Sequence, residues 1–223
     1  MMKEKESHKR VNDILLGPLE RPALRWLAAH MPAWVNPDML TGVGVLGSVL
    51  TFFSYAMTNF NADFLWLASL GFAINWFGDS LDGTLARFRK IERPRYGYFV
   101  DHTVDSMSML LVFLGVGLSP YVRFEIACLA LIAYLLMSTL VYIRTNVSGV
   151  FQMSYGRFGP TEARAIAILA NAAIYFFGNP VVTERFGALS VFDFIAGIAA
   201  VVLAVIFLAS TIRQARELAK LEE

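Results

Sequence analysis

The chain is poor in the side chains from which most functional sites are built. It has one cysteine and three histidines in 223 residues. That excludes an intrachain disulfide and any multi-cysteine zinc or iron–sulfur site. Charge is scarce too: 17% of residues are charged, and 19 basic against 18 acidic groups leave a formal net charge of +1. No overall field draws DNA or RNA, so nucleic acid is not an expected partner. What the chain has in excess is apolar surface, 57% hydrophobic residues with a mean hydropathy of +0.54. This excludes a disordered chain and lies outside the range of an ordinary soluble domain. Cys128 sits in an apolar run and reads as a small buried or lipid-facing residue.

A membrane-spanning helix needs roughly 20 mostly apolar residues. Six stretches qualify: Pro37 to Phe60, Phe64 to Arg87, Tyr98 to Leu118, Val122 to Arg144, Thr161 to Gly178 and Ser190 to Ile212. Met1 to Arg10 are highly charged and lack an apolar core, unlike a cleaved signal peptide. From Val11 to Trp34, apolar residues alternate with Asp13, Glu20, Arg21 and Arg25. With Pro18 and Pro22 inside it, this stretch predicts a broken amphipathic helix lying in the membrane interface. The expected architecture is an all-α integral membrane protein, with residues 1–36 as tail and interfacial helix and 37–223 as one six-helix membrane domain.

Six spans put 17 of the 19 basic residues on one side and leave Arg123 and Arg185 for the other. By the positive-inside rule both termini are expected in the cytoplasm.

Ionisable residues inside a span are costly and mark sites. Asp79 and Asp82 stand i,i+3 near the end of the second span, and Asp101 and Asp105 stand i,i+4 near the start of the third. Counted from the basic loop Phe88 to Tyr96, Asp82 lies as deep as Asp101, and Asp79 as deep as Asp105. Antiparallel packing of the two spans predicts one carboxylate cluster just beneath the cytoplasmic face. Four ionised carboxylates in a partly dry site repel unless they take up protons or gain cations. Oxygen donors without a cysteine pair suit hard divalent ions, and two such ions balance four aspartates. His102 points about 100° away from Asp101 on the helical wheel and is not counted as a ligand. Pairing of each aspartate with Arg87, Arg89, Arg93 or Arg95 is the bland alternative, and a cation path through a transporter or channel is the rival function. Gly83 and Gly97 remove bulk beside the acids and leave room for a phosphate or nucleotide.

Asp79-Ser-Leu-Asp82-Gly83-Thr-Leu-Ala86-Arg87, followed after nine residues by Gly97-Tyr-Phe-Val-Asp101-His-Thr-Val-Asp105, resembles the signature of the CDP-alcohol phosphotransferase family, D-x2-D-G-x2-A-R-x8–9-G-x3-D-x3-D, at all eight fixed positions. The resemblance implies a phospholipid-synthesising, magnesium- or manganese-dependent transfer of a substituted phosphate from a CDP-activated alcohol to a lipid or polar alcohol, with release of CMP. It also implies that Asp79, Asp82 and Asp101 bind a pair of metal ions. Asp105 would act as general base and touch a metal, and Gly83 and Arg87 would hold the nucleotide. Pro37-Asp38-Met39-Leu40-Thr41 is similar to the family's Pro-Asn-x-(Leu/Ile)-Thr turn, which makes Thr41 a nucleotide-side candidate. Asp38 replaces the usual asparagine and reads as the helix N-cap.

Arg144, Arg157 and Arg164 resemble arginines that hold the acceptor's phosphate in the inositol-phosphate branch. Asp101-His102-x-x-Asp105-Ser106 resembles the choline/ethanolamine branch, whose donor carries the head group and whose acceptor is diacylglycerol. The donor therefore stays open between CDP-diacylglycerol and a CDP-linked head group. The resemblance also suggests a homodimer, for which Gly42, Gly44 and Gly47 offer a close-packing face or, equally, an internal one.

Overall fold

The computed structural model describes residues 9–11, 15–148, 150–152, 159–184 and 187–222. In chain order these form β1 (Lys9–Val11), α1 (Gly17–His30), α2 (Pro37–Met57), α3 (Phe64–Arg89), α4 (Pro94–Leu118), α5 (Phe124–Ser148), β2 (Val150–Gln152), α6 (Pro160–Phe177), β3 (Val181–Thr183), β4 (Leu189–Ser190) and α7 (Val191–Glu222). β1 pairs in parallel with β2, and β3 with β4 antiparallel. Every stretch read as a span is a helix. Four of them, α2, α4, α5 and α7, are long and apolar enough to cross a membrane by length and composition. The other two carry polar residues along their length, Asn75, Asp79 and Asp82 in α3 and Glu162, Arg164 and Asn171 in α6. α7 continues as one helix ten residues past the expected Ile212 end.

Two local expectations need correction. α1 is one helix through Pro22, not a broken one: Pro18 falls in the first turn, where a missing N–H loses no partner, and Leu16 O still accepts from Glu20 N at 2.9 Å. The N-cap of α2 is Asn36, not Asp38. With Pro37 in the first turn, Asn36 takes the extended backbone and its Oδ1 accepts from Met39 N at 2.8 Å.

α2 is the hub. α3 and α4 both pack on it, α6 and α1 pack on α3, and α5 and α7 continue outward from α4. The α2–α3 seam brings the two backbones together: a Cβ on Gly47 would stand 2.7 Å from Gly71 O and 2.9 Å from Asn75 Cα, and one on Gly71 would stand 2.8 Å from Gly47 O. Small residues let membrane helices approach this closely. Gly44 and Gly47 thus serve an internal interface, whereas Gly42 is exposed with nothing near it. Buried amides bridge the bundle. Asn75 donates to Gly44 O and Ser48 Oγ, each at 3.0 Å, and Asn171 accepts from Tyr55 OH at 2.8 Å and donates to Ser69 Oγ at 3.1 Å.

One expectation about packing fails in an instructive way. α3 and α4 hardly touch each other; each leans on α2 instead. The wedge between them stays open at the end of the bundle where α1 lies.

Candidate active site

The wedge is a cavity of about 910 Å³ lined by all four aspartates. Asp79 and Asp82 reach it from the last turns of α3, and Asp101 and Asp105 from the first turns of α4. Asp105 comes within hydrogen-bond reach of Asp79 and also lies in the field of Asp101, while Asp82 faces Asp79 and Asp101. The acids meet across a gap and not through helix packing, so there is volume between them for a ligand.

Two of the four arginines in the bland alternative are engaged elsewhere. Arg89 donates to Met31 O at 2.9 Å and Pro32 O at 2.8 Å, and fixes the loop between α1 and α2. Arg93 pairs with Asp38, and its guanidinium lies 4.1 Å from the centroid of the Tyr96 ring. The arginine that reaches the acids comes from α6: Arg164 Nη2 donates to Asp79 Oδ2 at 2.7 Å from a side chain only 5% exposed. Thr41 Oγ1 donates to Asp82 Oδ2 at 2.6 Å, and Gly83 N donates to Asp82 Oδ1. Thr41 is therefore in contact with an acid of the cluster.

Gly83 and Arg87 also line the cavity. A methyl group at position 83 would stand 3.2 Å from Arg87 Nη1, and the guanidinium is steadied by Thr84 Oγ1 at 3.2 Å. Glycine gives the arginine room to lie back over its own helix. Arg144 is not among the lining residues and lies in electrostatic contact with Glu217 of α7. Arg157 lies outside the described residues.

His102 departs from the helical-wheel reading. Its Nδ1 is 3.6 Å from Asp101 Oδ2, and donor atoms of Asp101, His102 and Asp105 fall within 4.8 Å of one another. The wheel fixes where Cβ points; rotation about the side-chain bonds swings the ring back toward its neighbour. Tyr98 packs edge-on against it at 4.2 Å, and Tyr142 of α5 lies at 5.0 Å. Neither tyrosine was singled out from sequence, although Tyr98 precedes His102 by the four residues that share a helix face. Four carboxylates line the cavity, and among the described residues Arg164 is the buried arginine that meets them, so the site gathers negative charge and oxygen donors. That donor set fits hard divalent cations.

Residues 34–209 match the CDP-alcohol phosphatidyltransferase profile. The archaetidylinositol phosphate synthase of Pyrococcus horikoshii is 31% identical over 104 residues, 47% of this chain and 52% of that protein. The phosphatidylinositol phosphate synthase of Cutibacterium acnes is 36% identical over 91 residues, 40% of this chain and 41% of that one. Cholinephosphotransferase 1 of Gallus gallus is 28% identical over 191 residues, 80% of this chain and 55% of that one. The chain thus spans about half the length of the curated relatives it matches. Among solved structures, the phosphatidylinositol phosphate synthase of Mycobacterium tuberculosis in complex with manganese and citrate superposes with a TM-score of 0.55 at 25% identity, covering 84% of this chain and 86% of that one. The same enzyme with CDP-DAG bound gives a TM-score of 0.56 at 24% identity, covering 84% and 90%. With most of its length inside the family profile and the full eight-position signature on the walls of one cavity, the chain belongs to the CDP-alcohol phosphatidyltransferase family.

Proposed function

We propose that this protein transfers a substituted phosphate from a CDP-activated alcohol to a second alcohol and releases CMP. The observation that carries the reading is the convergence of Asp79, Asp82, Asp101 and Asp105 on one cavity wide enough for a nucleotide diphosphate. The acceptor oxygen attacks the phosphorus that bears the donor alcohol, the bridging P–O bond to the cytidylyl phosphate breaks, and CMP leaves with that bonding pair. Asp105 takes the acceptor's proton. Asp79, Asp82 and Asp101, with Asp105 at the edge, are the residues to hold two magnesium or manganese ions. Bound there, the ions would polarise the diphosphate and offset charge on the departing CMP. Gly83 and Arg87 hold the nucleotide, Arg87 as a planar fork for phosphate, with Thr41 beside them. Arg164 is assigned to the acceptor, with Arg157 as the second candidate; Arg144, off the cavity wall, is not.

The reading includes six membrane spans, α2 to α7, with residues 1–36 as tail and interfacial helix, both termini and the site on the cytoplasmic face, and a homodimeric assembly. Exposed Leu15, Leu19, Trp26 and Trp34 on and beside α1 support its lying in the interface. At the far ends of α3 and α6, Trp66 packs edge-on against Tyr175 at 5.4 Å and Tyr175 OH donates to Asp63 at 3.0 Å. An aromatic pair with a wet carboxylate is the composition of a membrane–water boundary and supports both as spans. The test is CMP release by the purified protein in magnesium, with CDP-diacylglycerol and CDP-linked head groups each offered to a panel of alcohols. Release from one donor class identifies the branch. No release from any pair, with cation flux in liposomes, overturns the reading.

A further inference from the structure

The first turn of α6 is committed to α1. Glu162, 5% exposed, accepts Gly159 N through Oε2 at 3.0 Å and Leu16 N through Oε1 at 2.8 Å. One carboxylate therefore caps the N-termini of two helices, where helix dipoles favour a negative charge. One residue earlier, Thr161 Oγ1 donates at 2.9 Å to Glu20 Oε1 on α1, which also accepts Trp76 Nε1 of α3 at 2.8 Å. Two residues beyond Glu162, Arg164 reaches Asp79. The same turn and a half of helix is thus anchored to α1 at its start and to the acidic cluster at its end. Glu162 does not line the cavity.

We propose that Glu162 is a positioning residue: by clamping α6 to α1 it sets the depth at which Arg164 meets Asp79, so that the site is complete only with α1 seated. This rests on the enzymatic reading above. Glu162→Gln keeps one acceptor oxygen and turns an N–H2 group toward a backbone N–H. The clamp is lost while the helix keeps its shape.

A double-mutant cycle in CMP release reads the coupling. Glu162→Gln lowers kcat/KM about tenfold in the wild-type background and less than about twofold in Arg164→Lys, because neighbours acting through one interaction are not additive. A glutamate that only stabilises the fold gives factors that multiply, and this result, or wild-type kinetics in Glu162→Gln, overturns the proposal. If Glu162→Gln does not fold, Thr161→Val, which keeps the side chain's size on the cavity wall while removing its hydrogen bond to Glu20, enters the same cycle with the same two outcomes. If the wild-type protein releases no CMP, the enzymatic reading has failed separately. The clamp is then read by hydrogen exchange in Glu162→Gln: joint loss of protection at residues 15–20 and 159–165 supports it, and loss in one segment alone overturns it.

Discussion

The molecule buries carboxylates at both ends of its helical bundle and treats them in opposite ways. At the end away from α1, Asp193 is 4% exposed, and its two oxygens accept from Arg123 N at 2.7 Å, Ser190 N at 2.8 Å and Ser190 Oγ at 2.9 Å. At the α1 end, Asp79, Asp82, Asp101 and Asp105 are half-buried together, and the donors directed at them include one arginine, one threonine hydroxyl and one backbone N–H. Asp193 caps a helix and ties a loop to it. The cluster gathers four carboxylates on the wall of one cavity. Burial of a carboxylate is therefore not what marks a site; the convergence of several acids on one open volume is.

That contrast sets the order of expected effects. On the reading proposed above, Asp105→Asn removes the base, and CMP release falls by about 10²–10⁴-fold. Its thermal stability stays level, because the amide keeps an acceptor oxygen and offers a donor within reach of Asp79. A fall in melting temperature matching the loss of rate would put Asp105 in the same category as Asp193 and break the comparison. Asp193→Asn has the reverse signature. The amide replaces an acceptor with a donor facing the N–H groups, which costs about 1–3 kcal/mol for each buried donor left unpaired. The rate per folded molecule is unchanged, and thermal unfolding in detergent beside the CMP assay separates the two variants.

Much of the cluster is legible in sequence because helices convert spacing into direction. Asp79 with Asp82, and Asp101 with Asp105, have to share faces, and a short loop has to bring the two pairs to one level. The open wedge was not legible. It follows from Gly44, Gly47, Gly71 and Gly78 drawing α3 onto α2, and from Gly115 of α4 lying against Phe52, 2.9 Å from Phe52 Cα to the position of a Cβ. Two helices that pack on a third need not pack on each other. Arg164 and Glu162 meet their partners across 85 and 146 residues of sequence, and no local pattern encodes such contacts. His102 shows the same limit at short range: the wheel fixed its Cβ, while its ring is held by Tyr98 and by Tyr142 from another helix.

Asp38 lies between the two extremes and gives the finest test of the rule. It is half exposed, paired with Arg93 at the mouth of the cavity, and stands where the family usually has asparagine. Its acceptors face water, and its charge is met by a guanidinium that also packs on Tyr96. Exposed pairs of this kind contribute about 0–1 kcal/mol and weaken as salt screens them. Asp38→Asn should therefore leave thermal stability within that range, and the small difference should shrink further at high ionic strength. If the charge at the mouth opposes entry of an anionic donor, the same variant lowers the donor KM at low salt and leaves kcat alone. Equal shifts in donor and acceptor KM would show that the pair acts on the shape of the mouth, through the seating of the α3–α4 loop, and not through its charge.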